Sequence, residues 1–135
     1  MRKNNPIQFP TIVAGAMTGT AVITSAVSSI RFLDNAGYQF SWTGSPSGTF
    51  AIQISADHQQ DEFGNVTVAG NWVPIIFTYW NAGTSAFVTA ASIPASVGSP
   101  IYLDLTLLSA PWIRAQYTNS AGTGTLSAFF VAKMV

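Results

Sequence analysis

Residues 38–55 read YQFSWTGSPSGTFAIQIS, and this stretch decides the fold class of the chain. Tyr38, Phe40 and Trp42 alternate with polar residues, which gives an extended strand one apolar and one polar side. A Gly- and Ser-rich loop follows at residues 44–48, and a second apolar triplet then alternates in the same way: Phe50, Ile52 and Ile54. The pattern predicts a β-hairpin whose two triplets face one core.

The rest of the chain repeats this strand-and-turn pattern and has no long amphipathic helix. A second hairpin is predicted from residues 112–118 and 125–133, joined by a turn at 119–124. With the shorter runs, the count is about eight strands. Residues 21–135 are therefore predicted to form an all-β, antiparallel two-sheet sandwich of jelly-roll type. Residues 1–20 are predicted to form an extended N-terminal arm, which either lies on a neighbouring subunit or folds back on its own domain.

Charge is scarce in this sequence. Only 7% of the residues are charged, 48% are hydrophobic and the formal net charge is zero. An ordinary soluble domain is about one-quarter charged, so we expect much of the surface to be covered by other copies of the chain or by a larger shell. The balance argues against nucleic acid and against attachment to anionic lipid as partners.

Particular residues argue against a disulfide-rich protein, a signal peptide and a membrane-spanning helix. There is no cysteine, which excludes a disulfide framework. Residues 4–30 are uncharged, but Pro6, Pro10, Gly15 and Gly19 interrupt them, so neither a signal peptide nor a membrane-spanning helix is predicted there.

Residues that could bind a metal or take part in catalysis lie close together at one place in the sequence: Asp57, His58, Asp61 and Glu62. The spacing lacks the regular pattern of a calcium loop, and zinc would need more histidine or thiolate ligands. We interpret the segment as a solvated loop, with a bound ion as the alternative. With a single histidine and no Gly-x-Ser-x-Gly motif, no catalytic residues, enzyme activity or cofactor are predicted. Asp104 is expected to pair with Arg114 or Arg31.

The aromatic residues and the predicted arm supply the candidate contact sites. Trp80, Tyr79 and Trp72 are candidates for facing a sugar ligand, although such rings equally fill cores and subunit contacts. Interface candidates come from the arm and from the last predicted hairpin: Ile7, Phe9, Ile12, Val13, Trp112, Arg114 and Phe129. Deleting residues 1–12 is predicted to leave a folded domain that no longer enters a particle.

Two stretches together resemble a known group of proteins. They are residues 38–55 and residues 111–133, which read PWIRAQYTNSAGTGTLSAFFVAK, with Asn71 and Trp72 between them. They resemble small β-sandwich virion proteins encoded by bacteriophages, of capsid decoration, minor capsid or tail-associated type.

The resemblance implies a non-enzymatic virion subunit that is made in the host cytoplasm and assembles with its own copies and other virion proteins. The alternative is a carbohydrate- or receptor-binding module on a phage fibre or spike, which would contact a host-surface glycan. The apolar composition leaves a membrane-surface β protein as a third possibility.

Overall fold

The computed structural model describes residues 6–31, 35–81, 83–105 and 109–133. As predicted, the fold is all-β and antiparallel, and the one helical feature in these ranges is a 3₁₀ turn at Ala95–Val97. The predicted strand count is wrong, because the described residues form fourteen strands in three sheets. They are β1 (Pro6–Met17), β2 (Val22–Thr24), β3 (Ser28–Ser29), β4 (Asn35–Gly44), β5 (Ser47–Ser55), β6 (Gln59–Gln60), β7 (Val66–Val68), β8 (Val73–Pro74), β9 (Phe77–Asn81), β10 (Ala86–Ala90), β11 (Ile93–Pro94), β12 (Ile101–Leu105), β13 (Trp112–Ala121) and β14 (Gly124–Lys133).

Two large sheets form the sandwich. The front sheet has the strand order β1-β14-β4-β12-β9-β10. The back sheet has the order β11-β5-β13-β2, with β3 added beside β13 and β8 beside β5, while β6 and β7 pair as a small separate hairpin. This order does not establish jelly-roll connectivity, which stays a prediction.

Both predicted hairpins are wrong in their pairing. β4 lies in the front sheet and β5 in the back sheet, while β13 lies in the back sheet and β14 in the front. Consequently β4 pairs with β14, and β5 pairs with β13. The two corners where the chain changes sheets contact each other, since the backbone N–H of Ser45 donates to the carbonyl of Thr123 at 3.0 Å. Corners of this kind are how strands switch between packed sheets.

The core lies between the sheets and confirms the predicted side-chain directions. Tyr38 and Phe40 point inward from the front sheet, and Phe50 and Tyr117 point inward from the back sheet, all fully buried. Their rings form a chain across the core, with centroids 4.7 Å apart for Phe40 and Phe50 and 4.6 Å apart for Phe50 and Tyr117. Such tilted aromatic pairs contribute about 0.5–1.5 kcal/mol each beyond the area they bury.

The predicted arm, from residue 6 onward, belongs to the sandwich. β1 pairs with β14 along its length, from Pro6 opposite Lys133 to Met17 opposite Gly124. Met17 is fully buried, and the rings of Phe9 and Phe130 lie 5.3 Å apart. The arm thus folds back on its own domain over residues 6–17, and residues 1–5 lie outside the described residues. Deleting residues 1–12 would uncover Phe130, so the domain is not expected to stay intact, contrary to the prediction.

Candidate interaction surfaces

The interface candidates differ in how far their side chains are exposed. Ile12 is 6% exposed, so its assignment as an outward contact is wrong: irregularities in the pairing of β1 on either side of it turn it into the core. Val13 is exposed and Phe9 partly so. The side chain of Ile7 lies outside the described residues. Three candidates are half-buried, on the outer faces of the sandwich: Phe129 on the front sheet, and Trp112 and Arg114 on the back sheet.

The ligand-facing candidates do not form one site. Tyr79 is 4% exposed and belongs to the core, since it points inward beside Phe77 on β9, so this assignment is wrong. Trp72 lies beside the back sheet, with the guanidinium of Arg114 4.3 Å above its ring. Trp80 is about half exposed on the front sheet. The three residues therefore lie in three different places: Tyr79 in the core, Trp72 beside the back sheet and Trp80 on the outer face of the front sheet.

Residues 56–71 form a projection that carries the β6–β7 hairpin. At its tip, the Asp61 carboxylate accepts hydrogen bonds from the backbone N–H groups of Phe63 at 2.9 Å and of Asn65 at 2.8 Å. The backbone N–H of Asp61 also donates to the Asn65 carbonyl. These bonds hold the turn in one conformation, as Asx turns do. The turn presents the side chain of Phe63, which is 82% exposed.

The base of the projection is braced by His58, which is buried between two tryptophans. Its ring centroid lies 5.2 Å from that of Trp72 and 5.0 Å from that of Trp112. Nδ1 lies 2.9 Å from the carbonyl oxygen of Ala69, which only accepts, so Nδ1 carries the proton. Nε2 then accepts from the side-chain amide of Gln60 at 3.0 Å. The histidine therefore acts as a structural support.

The predicted acidic cluster is divided between the two ends of the projection. At the base, the Asp57 carboxylate accepts from the backbone and side-chain amides of Asn71 at 2.7 and 2.8 Å and from the Ser55 hydroxyl at 3.0 Å. Hydrogen bonds from Asn71 lower the pKa of Asp57, and hydrogen bonds from Asn65 lower the pKa of Asp61. Within the described ranges, no three His, Cys, Asp or Glu side chains come together as metal ligands.

The charges on the back sheet stack on aromatic rings. Arg114 lies over Trp72 and donates from Nε to the Gln53 amide oxygen at 2.7 Å, while Arg31 lies 5.8 Å from the centroid of Trp112. Burial lowers the pKa of Arg114 from its ordinary value. The predicted pairing of Asp104 with Arg114 or Arg31 is wrong. Asp104 is on the outer face of the front sheet, whereas Arg114 and Arg31 lie over the rings of Trp72 and Trp112 at the back sheet.

A groove of about 590 Å³ runs over the outer face of the front sheet. Trp80 and Phe87 form one side, directly opposite each other on β9 and β10, with ring centroids 5.0 Å apart. Tyr102, Asp104 and Gln39 form the floor. Burial raises the pKa of Tyr102, and the nearby negative charge of Asp104 raises it further. The facing wall is residues 97–100.

A second groove of about 480 Å³ continues from the first, because Tyr102 and Asp104 line both. It extends along β12 and β14 to Val131 and Lys133. The two grooves therefore adjoin at Tyr102 and Asp104.

The sequence alone did not identify two exposed residues that define these surfaces, Phe63 and Phe87. Phe63 had a usable signal, because it is a lone aromatic residue in the polar run DHQQDEFGN. Phe87 had none, since alternation alone does not say which strand it would lie beside.

The described ranges contain no helix that is both long and apolar enough for a membrane span. No protein-family model matches the sequence, and no curated protein matches it either. The fold is similar to that in the crystal structure of SPBc2 prophage-derived protein YomS, with a TM-score of 0.60 and 13% sequence identity over 98% of this chain and 96% of that one. The structure of infectious bursal disease virus Gx strain gives a TM-score of 0.40 at 13% identity over 98% of this chain and 33% of that chain, which is too low to indicate a common fold.

Proposed function

We propose that this protein is a non-enzymatic virion structural subunit, of capsid decoration, minor capsid or tail-associated type, which acts through contacts with its own copies and other virion proteins. The sequence resemblance to phage β-sandwich proteins supports the virion setting. The similarity to the prophage-derived YomS is a similarity of fold and fits that setting. The geometry bears on how the subunit would make its contacts.

The observation that carries this proposal is the braced projection with Phe63 at its tip. Because Asp61 fixes the turn, the backbone that carries Phe63 loses little conformational freedom when this exposed side chain enters a pocket on a partner. Aromatic residues held in this way are typical of the few positions that supply most of the binding energy of an interface.

The wider surface supports the same function. Large apolar side chains are exposed on several sides of the molecule, and with so few charges this surface is suited to burial in an assembly. A contact that buries about 800 Å² per partner is of ordinary size. The exposed set is Phe9, Val13, Val22, Phe63, Val66, Val68, Val73, Ile76, Trp80, Phe87 and Tyr102.

The test compares Phe63→Ala with Phe87→Ala, since Phe87 is a phenylalanine of similar exposure at 73% but lies on the front sheet. Molar mass is measured by light scattering over a concentration series, and the chain is quantified in particles purified from phage carrying each variant. We expect Phe63→Ala to weaken association about 30-fold, the equivalent of about 2 kcal/mol, and to reduce incorporation into particles. Its melting temperature should match the wild type.

Phe87→Ala should weaken association far less than Phe63→Ala, because the projection is the proposed central contact. A wild-type chain that stays monomeric at every concentration and is absent from particles would overturn the proposed function. Unchanged association of Phe63→Ala would show that the projection is not a contact, and equal loss in both variants would show that it is not the dominant one.

A further inference from the structure

The outer face of the front sheet carries a row of side chains that crosses the strands. Pairing places Phe87 opposite Trp80, Tyr102 opposite Gln39, and Gln39 opposite Phe129. Since β9 and β12 are also neighbours, the row continues from β10 to β14. Neighbouring strands lie about 4.8 Å apart, so successive members of the row repeat at about that spacing.

A second row runs beside the first and is polar. Thr89 lies opposite Thr78, Thr78 opposite Asp104, and Asp104 opposite Gly37. The hydroxyls of Thr78 and Thr89 are 3.2 Å apart and hydrogen-bonded. Among the described residues that line the larger groove, Asp104 is the one that is charged. The face therefore combines aromatic rings with a line of hydroxyl and carboxylate groups.

We propose that this face binds a neutral, linear oligosaccharide that lies across the strands, along the row from Phe87 to Gln39. A pyranose ring has apolar C–H faces that pack on aromatic rings and hydroxyl groups around its edge that hydrogen-bond. The strand spacing is close to the length of one pyranose unit, so consecutive units meet consecutive members of the row. Trp80 and Tyr102 stack on the sugar rings, and Asp104 accepts hydrogen bonds from hydroxyls.

The charges of the groove select against other ligands. A phosphate or a nucleic acid requires basic groups, whereas the described residues that line the larger groove include a carboxylate and no lysine or arginine. Lys133 lines the adjoining groove and not the larger one. A wholly apolar ligand would strip water from the Asp104 carboxylate without replacing its hydrogen bonds, which is costly. A neutral polyhydroxyl ligand satisfies both the rings and the carboxylate.

The groove is held in shape without a ligand. Its floor is made of paired strands, and its wall is fixed because the Ser99 hydroxyl accepts the backbone N–H of Trp42 at 2.9 Å. Its volume of about 590 Å³ lies within the range of about 300–1,000 Å³ typical of small-molecule sites. Little ordering is therefore required when a sugar binds.

The test uses purified full-length chain and soluble oligomers of glucose, N-acetylglucosamine, xylose and galactose, each with two, four or six units. Titration calorimetry measures the affinity. We expect at least one series to bind, with affinity that rises from two units to four. Trp80→Ala should lower that affinity about tenfold, as loss of one stacking contact of about 1.4 kcal/mol requires. Asp104→Asn should also lower it.

Phe63→Ala serves as the matched control, because it removes an exposed ring that lines neither groove, and its affinity should equal that of the wild type. Circular dichroism must show every variant folded. Absence of binding in all series, equal affinity of Trp80→Ala and wild type, or preference for sulfated or sialylated glycans would overturn the proposal. A wild-type oligomer that Trp80→Ala dissociates would also overturn it, by making this face a subunit contact. The result is separable from the proposed virion role, which is tested by Phe63.

Discussion

The two corners where the chain changes sheets contact each other, and this contact predicts that Gly44→Ala destabilises the fold. Gly44 has a φ of +84°, and a Cβ placed there would collide with the carbonyl oxygen of Thr123 and lie 2.9 Å from the Cα of Gly124. A left-handed backbone costs a non-glycine residue about 1–2 kcal/mol. An overlap with neighbouring backbone that cannot move aside costs about 1–3 kcal/mol more. We expect Gly44→Ala to lower the free energy of unfolding by about 2–5 kcal/mol.

Gly64 provides a matched control. Its φ of +85° is almost the same, but a Cβ there would meet nothing within 4 Å. Gly64→Ala should therefore cost only the backbone component, about 1–2 kcal/mol. The difference between the two variants measures the contact between the corners.

The measurement is thermal and urea denaturation followed by circular dichroism. For a chain of this size, 1 kcal/mol corresponds to about 4 °C in melting temperature. Gly44→Ala should thus melt about 4–12 °C below Gly64→Ala. Equal melting temperatures would refute the contact between the two corners. In a simple β4–β5 hairpin, Gly44 would not lie against Thr123 and Gly124.

Two other expectations test the connections of the sandwich. Asn119 is buried, accepts from the Tyr117 hydroxyl at 2.8 Å and donates to the Gly19 carbonyl at 2.9 Å, so Asn119→Ala should cost about 2–4 kcal/mol in urea denaturation. Tyr117→Phe should cost less in the Asn119→Ala background than in the wild type, and simple additivity of the two would contradict a shared network. The lowered pKa values of Asp57 and Asp61 mean that the folded state favours their ionised forms, so their contribution is present above their ordinary pKa of 3.8 and is lost as the pH falls through the lower folded-state values. In that acidic range the protection of the projection's amides against hydrogen exchange, taken relative to the intrinsic exchange rate at each pH, should fall. Asp57→Asn and Asp61→Asn should remove this fall, and a protection profile unchanged by both substitutions would contradict it.

The candidate surfaces were only partly accessible from the sequence. Trp80 was named as a ligand-facing candidate because an aromatic ring can stack on a sugar. In the structure it is exposed and lines the larger groove. Tyr79, its neighbour, was assigned to the same site, although adjacent residues of a strand face opposite sides. The partners of Trp80 in the groove, Tyr102 and Gln39, come from strands distant in sequence.

The sequence by itself determined the strand character of the chain and the inward faces of its strands, because burial of one side imposes an alternation of period two that can be read directly, as at residues 38–55. It also determined the shortage of charge. Only the tertiary structure decided which strands are neighbours: β4 lies beside β14 and β5 beside β13. The physical reason is that strands pair through backbone N–H and C=O groups, which every residue except proline possesses. Side-chain alternation specifies which side of a strand is buried, but it does not specify which strand lies beside it. The packing of the two sheets around the aromatic core decides that pairing.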